Sequence, residues 1–451
     1  MSQLSPIKSQ KLDIALKGQI KIPGDKSISH RSLIFAALAN GKTKITGLLE
    51  GEDVLRTAAA LESMGVEIIR NQDYWLVNGS GIVGLVEPNN IIDMGNSGTS
   101  ARLLSGLVTP YDFTSFFTGD SSLRKRPMAR IFEPIKQFGA EIVANKSNKM
   151  PFAIIGTSES TPIEYKMKNA SAQVKSCILL AALATRGVTT IFEPNKCRDH
   201  SEIMMRYLDI DIKQKNEGAG TIISCAGYND FMAKDIDVVS DISSAAFLIV
   251  AAILIKDSDV TLPKIGVNPL RTGIIETLIE MGANIDLKNK RKICGEEVAD
   301  IRVCYSKLKS IEVPSSRASS MIDEYPILAI AAANAVGTTK MTGLSELRVK
   351  ESDRLSMTAN NLRACGVEVV EGDDFLEIKG QTQNHKKMAK IYTDLDHRMA
   401  MSFFVMGLTM EKGVEIDDSS MIKTSFPNFV DIFEKQNLVN YTTYSGIVNL
   451  K

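Results

Sequence analysis

Apolar and polar positions along the chain fall into one pattern that returns six times. Each copy has an apolar helical run with polar residues at its start, a short alternating stretch, a more charged helical stretch, then Gly-Ala or Gly-Val and another alternating stretch. The end of the charged stretch is the clearest landmark. It reads Leu61-Glu62-Ser63-Met64-Gly65-Val66, Ile135-Lys136-Gln137-Phe138-Gly139-Ala140, Leu278-Ile279-Glu280-Met281-Gly282-Ala283 and Leu362-Arg363-Ala364-Cys365-Gly366-Val367. Glycine there suits a helix C-terminal cap, and the alternation after it predicts a strand. Weaker copies lie around Leu208 and Phe429. The runs Val174–Leu183, Ala245–Leu254, Ile327–Ala333 and Met399–Gly407 are apolar almost all round, which predicts buried helices. The more charged second helices are expected to face solvent. Six β-α-β-α-β units follow, three and three, with a break near 229–239. The first alternating run precedes the first unit and is expected to belong with the last three units. A final strand is expected over 434–451.

The six inner helices begin in a shared way. Their starts are Lys26-Ser27-Ile28-Ser29-His30-Arg31, Gly95-Asn96-Ser97-Gly98-Thr99, Ser171-Ala172-Gln173, Asp241-Ile242-Ser243-Ser244, Asp323-Glu324-Tyr325-Pro326 and Asp394-Leu395-Asp396-His397-Arg398. Capping residues are common there, and Ser27 and Ser29 are expected to cap the first helix. Lys26, Arg31, Arg102 and Arg398 are harder to explain, because a helix N-terminus already carries positive partial charge. Cations collected at helix starts point to an anion, with phosphate and carboxylate as usual guests. Gly98 would let backbone N–H groups approach such an anion closely. More cations lie in Arg124-Lys125-Arg126-Pro127-Met128-Ala129-Arg130, at Arg198, in Leu347–Leu355 and at Lys423. Each feature alone also fits a capped helix, a solvated basic turn or a salt-bridge ladder.

Composition narrows the classes. The 451 residues exceed one ordinary core, and 44% hydrophobic content supports large cores. Lys and Arg total 53 and Asp and Glu total 53, so a nucleic-acid or anionic-membrane partner is disfavoured and any basic site is local. Six cysteines without C-x-x-C spacing read as thiols in a reducing compartment, not a zinc site. Apolar runs of about 11 residues are too short for a bilayer, and residues 1–21 have no signal-peptide apolar core, so a soluble cytoplasmic protein is expected.

The motifs Gly24–Arg31, Arg126–Arg130, Ser171–Lys175, Lys350-Glu351-Ser352-Asp353-Arg354 and Asp396-His397-Arg398, in this order, resemble the 5-enolpyruvylshikimate-3-phosphate synthase family over essentially the whole chain. Ser171-Ala172-Gln173 and Arg198-Asp199-His200-Ser201-Glu202 resemble its bacterial class II branch. The resemblance implies an α/β, two-lobed enolpyruvyl-transferase fold, an inside-out α/β barrel of six pseudo-repeated units, three per lobe. Lobe I would hold 1–22 and 236–451 and lobe II 23–235, with the active site in the cleft between them. It implies enolpyruvyl transfer from phosphoenolpyruvate to shikimate 3-phosphate by a monomer, with no metal or organic cofactor. Lys26, Asn96, Gly98, Arg126, Gln173, Arg354, Arg398 and Lys423 resemble the phosphoenolpyruvate site. Lys26, Ser27, Arg31, Ser171, Ala172, Gln173, Arg198, Asp323 and Lys350 resemble the shikimate 3-phosphate site. Asp323, Glu351 and Lys26 resemble the proton-transfer groups. Class II members that tolerate glyphosate tend to carry Ala at the position of Gly98, so this chain is expected to be glyphosate-sensitive. A UDP-N-acetylglucosamine enolpyruvyl transferase is the nearest rival, but Phe116–Arg130 lacks that family's cysteine and Ser27 stands where Asn is expected. A non-catalytic polyanion-binding repeat protein would explain the cations but not Asp323 and Glu351 among them.

Overall fold

The computed structural model describes residues 5–218, 220–381 and 387–435. The chain divides into two compact units. One is formed by Gly24–Val239 with Lys292–Glu297, the other by Met1–Pro23, Ser240–Arg291 and Val298–Lys451.

The first unit has three inner helices, Lys26–Leu38, Gly98–Val108 and Ala172–Leu183, and nearly every residue past their first turns is buried. Three four-stranded sheets accompany them. In each, a short edge strand runs parallel to its neighbour and two further strands run antiparallel, as in Ile92–Asp93, Thr114–Thr118, Phe152–Ile155 and Glu141–Ala144. The sheet of the first copy takes its edge strand from far along the chain. Ile236–Asp237 pairs with Ile45 and Thr46, which closes the unit on itself.

The second unit repeats the plan with inner helices Ile242–Leu254, Tyr325–Asn334 and His397–Gly407. The N-terminal run supplies two of its strands. Lys17–Gln19 lies parallel to Asp259–Thr261, and Ile7–Ser9 lies antiparallel to Val414–Ile416. Among the described residues the last sheet has three strands.

The glycine landmarks are helix C-caps. Gly65, Gly139, Gly282 and Gly366 have φ of +89°, +105°, +97° and +76°, the left-handed region that glycine enters without steric cost. The third copy looks weak because Asp209, at φ +58°, stands where the others have glycine. The last outer helix, Phe429–Lys435, exposes Asp431 and Glu434, while Phe429 and Phe433 are fully buried and pack on Phe404 with ring centroids 5.4 and 5.3 Å away. One expectation needs correction. The first helix is capped by Asp25, whose carboxylate accepts from the Ile28 N–H at 2.9 Å, and not by Ser27 or Ser29. Ser29 instead accepts from the Leu49 N–H. The final strand expected over 434–451 lies outside the described residues from 436 onward; 434 and 435 end the last helix.

Two inner helices of the first unit touch backbone to backbone. A Cβ on Gly106 would sit 2.0 Å from the Cys177 carbonyl oxygen on the neighbouring helix. Gly106→Ala is therefore expected to destabilise the protein by about 3 kcal/mol, the upper range for overpacking. A urea midpoint within error of wild type would show that the helices separate freely.

Candidate active site

In the first unit the three inner-helix starts and the loops beside them carry the cations. Lys26 opens the first helix, and its Nζ lies 3.0 Å from Asp53 Oδ2, so a carboxylate from the neighbouring outer helix, Glu52–Ser63, fixes it. Arg31 is one turn further in and only 4% exposed. It donates to the Ser27 carbonyl at 2.9 Å, to Ser176 Oγ at 2.6 Å and to Ser201 Oγ at 2.8 Å. Burial pulls its pKa down to about 10, with Glu202 foremost among the carboxylates acting against that, so the guanidinium stays charged at neutral pH. Arg31 thus ties the first inner helix to the third and to the outer helix His200–Tyr207. Arg198 lies half-buried just before that outer helix.

The second helix start is built around a missing side chain. Ser97 caps it, accepting from the Ser100 N–H at 3.2 Å. Gly98 is its first residue, and a Cβ there would lie 2.8 Å from Arg102 Nη1 and 2.8 Å from both Cζ and Nη1 of Arg126. Two guanidinium groups therefore occupy the space that glycine leaves. Arg102 donates to the Gly98 carbonyl at 3.0 Å, to Gln173 Oε1 at 2.9 Å and to the Pro127 carbonyl at 3.2 Å. Gln173 Nε2 in turn donates to Thr99 Oγ1 at 3.0 Å. Gly98, Arg126 and Gln173 thus meet around Arg102, which belongs to none of the site lists expected from the sequence. Asn96 lies at the edge of this group, its Nδ2 donating to Asp120 at 2.7 Å. Ser171 caps the third inner helix and Ala172 begins it. Arg124, Lys125 and Arg130 are exposed.

Buried His30 joins the first two helix starts. Its Nδ1 lies 2.8 Å from Thr57 Oγ1 and 3.3 Å from Ser100 Oγ. Burial, then the charges of Lys26 and Arg31, hold its pKa well below the usual histidine value, so it is neutral.

In the second unit the site candidates gather on Arg354. This guanidinium is 1% exposed. Its Nε donates to Asp396 Oδ2 at 2.8 Å, its Nη1 to Asp323 Oδ1 at 3.2 Å, and its Nη2 lies 2.6 Å from Glu351 Oε2. Burial alone would lower its pKa, but Asp396, then Glu351 and Asp323, raise it above the ordinary value. Lys350 Nζ adds a second cation 3.3 Å from Asp323. The cluster is assembled from three places: the turn before the fifth inner helix, the segment that opens the outer helix Arg354–Ala364, and the cap of the sixth inner helix. Asp396, fully buried, does both jobs at that cap, accepting from the Arg398 N–H at 2.9 Å. The two residues before it, Asp394 and Leu395, have φ of +47° and +59°. A left-handed leucine is strained, a feature found where the surroundings over-determine the backbone. Glu324, expected among the capping residues, does not cap: it is buried and accepts from Ser243 Oγ. Lys423 is exposed on a short helical turn, Ser420–Thr424.

The family model described as EPSP synthase (3-phosphoshikimate 1-carboxyvinyltransferase) matches residues 12–433. The chain belongs to the EPSP synthase family. A relative from Paramagnetospirillum magneticum named 3-phosphoshikimate 1-carboxyvinyltransferase is 50% identical over 434 residues, 96% of this chain and 97% of its own. One of the same name from Gluconobacter oxydans is 50% identical over 92% of this chain and 94% of its own. The solved EPSP synthase of Acinetobacter baumannii matches with a TM-score of 0.86 at 40% identity, covering 98% of this chain and all of that one. The enolpyruvyl transferase NikO of Streptomyces tendae matches at TM-score 0.77 and 16% identity, a likeness of fold alone. No helix among the described residues is long and apolar enough to cross a membrane.

Proposed function

We propose that the two charged groups carry out enolpyruvyl transfer from phosphoenolpyruvate to the 5-hydroxyl of shikimate 3-phosphate. As a member of its family the chain is a 3-phosphoshikimate 1-carboxyvinyltransferase of the shikimate pathway to aromatic amino acids. In this reading Asp323 takes the proton of the 5-hydroxyl, whose oxygen adds to C2 of phosphoenolpyruvate. Glu351 delivers a proton to C3, and a tetrahedral intermediate forms. Removal of a proton from that methyl group then restores the double bond as phosphate leaves. Lys26 assists the proton transfer or offsets charge on the departing phosphate.

The remaining residues bind. Lys26, Asn96, Gly98, Arg126, Gln173, Arg354, Arg398 and Lys423 serve phosphoenolpyruvate. Lys26, Ser27, Arg31, Ser171, Ala172, Gln173, Arg198, Asp323 and Lys350 serve shikimate 3-phosphate. Two polyanions brought together repel each other, and fixed cations offset that repulsion. The protein works as a monomer in the cytoplasm. The observation that carries the reading is the pairing of Asp323 and Glu351 with one buried cation, Arg354, at 3.2 and 2.6 Å. A protein that only bound polyanions would gain nothing from carboxylates held there. The test is phosphate release from purified protein. Release that needs both substrates supports the reading; tight shikimate 3-phosphate binding without release would leave a binding protein.

Gly98 supplies a sharper test. Gly98→Ala must push the Arg102 and Arg126 guanidinium groups aside, since its Cβ would stand 2.8 Å from each. Weakening one charge-assisted hydrogen bond by about 1.5 kcal/mol is roughly tenfold in affinity. The KM for phosphoenolpyruvate is expected to rise about that much, and inhibition by glyphosate, the longer ligand, to weaken further. Equal response of both ligands would separate Gly98 from inhibitor discrimination.

A further inference from the structure

The third inner helix of the first unit carries a buried lysine that the mechanism does not use. Lys175 is 1% exposed, one residue before the Ser176 that holds Arg31. Its Nζ donates to Glu193 Oε1 at 3.0 Å and to the Cys197 carbonyl at 3.4 Å, and lies 2.7 Å from Glu202 Oε1. Glu193, 3% exposed, ends the strand Gly187–Glu193. The same Glu193 oxygen accepts from the Cys197 N–H at 3.1 Å and from its thiol at 2.7 Å. Glu202, fully buried, lies on the outer helix beside Ser201, which holds Arg31 from the other side. Burial alone would discharge Lys175, and Glu202, ahead of its other neighbours, keeps it protonated.

Four segments therefore converge on one ammonium group: the inner helix, the strand end, the loop 194–199 and the outer helix. A cluster of buried charges is a poor source of stability, since well-packed apolar side chains would hold the same segments at least as well. What charges add is a single allowed spacing. The inner helix carries Ser171, Ala172 and Gln173 on its first turn, and the loop carries Arg198 directly after Cys197. We propose that Lys175 is a positioning residue for shikimate 3-phosphate. Through Glu193 and Glu202 it fixes the distance between the Ser171–Gln173 turn and Arg198, so that both engage one ligand without rearrangement. This rests on the assignment of those residues to shikimate 3-phosphate made above.

The test uses the full-length protein and three variants. Lys175→Met removes the cation. The double variant K175M/E202Q removes one buried charge of each sign and replaces K175M in the test where the single variant fails to fold. Glu193→Gln leaves the Lys175–Glu202 pair and weakens only the link to the loop. Each is measured for thermal unfolding and for the separate KM values of the two substrates. K175M, or the double variant, is expected to raise the KM for shikimate 3-phosphate at least tenfold, to change that for phosphoenolpyruvate less than threefold, and to leave kcat within threefold. Glu193→Gln is expected to give a rise of about threefold in the first value, and Lys175→Arg to recover part of the loss. A purely structural role would lower the unfolding temperature without this selective rise. A KM for shikimate 3-phosphate within twofold of wild type in every folded variant overturns the proposal. Absence of turnover in wild type would instead overturn the functional reading.

Discussion

Arg354→Met is expected to abolish turnover and to destabilise the protein at once. The variant strands Asp396, fully buried, together with Glu351 and Asp323, around an apolar side chain. Removing one partner from a buried ion pair costs about 3–5 kcal/mol, because the partner left behind keeps its desolvation penalty. Three carboxylates without their shared guanidinium, with Lys350 beside Asp323, would share protons, changing the charge state of both proposed proton-transfer groups. Activity is expected to fall by at least about a thousandfold, the scale of losing both electrostatic stabilisation and a correctly protonated acid–base pair. Arg354→Lys separates the two effects. It restores the charge but not the fork that reaches three carboxylates, so part of the stability returns while activity stays low. Thermal unfolding and kcat/KM on both variants check this. A methionine variant that melts with wild type and keeps a tenth of its activity would remove Arg354 from the centre of the site.

Asp323→Asn and Glu351→Gln are expected to act on rate with little effect on stability. Arg354 keeps Asp396 and one other carboxylate in either variant, so no buried charge is left alone. Loss of a general acid or base is worth about 10²–10⁴ in rate. Glu351→Gln is expected to show that loss in kcat with the KM for shikimate 3-phosphate nearly unchanged. Asp323→Asn is expected to move both, because Asp323 also holds Lys350 at 3.3 Å. Near-normal turnover in either variant would sink its assignment.

The residues that the sequence made legible share one property: they sit at repeated places. Glycine after the outer helices and polar residues before the inner ones recur with the unit, so their roles could be read by alignment of copies. The apolar inner helices announced burial directly, as in Ile242–Leu254, where only the C-terminal leucine escapes full burial. What stayed hidden depends on who meets whom. Arg102 read as one more cation at a helix start, yet its hydrogen bonds reach Gln173, 71 residues away. Asp396 read as a cap, and its bond to Arg354 spans 42 residues. Asp25 caps the first helix although two serines stand close by, because the backbone turn decides which oxygen reaches the Ile28 N–H. Glu324 lost its capping role to Ser243, 81 residues away. Capping propensity is local, and a buried partner overrides it.

The placement of Ile7–Ser9 governs the order in which the chain can be completed during synthesis. Domains emerging from a ribosome fold as units, N-terminal first. The unit closed by Ile236–Asp237 has all its strands once about half the polypeptide has been made, apart from the short piece 292–297. The other cannot finish then. Ser9 donates to the carbonyl of Phe404, which lies 395 positions further along the chain, and Ile7 waits for Ile416. Ile7–Ser9 is therefore made long before Val414–Ile416 and is among the last strands to find its partner. Throughout translation it remains a short, unpaired strand, the kind of edge that recruits neighbouring chains. Lys8 and Lys11 place charge on and beside that strand, the kind of side chain that disfavours edge-to-edge pairing with other chains.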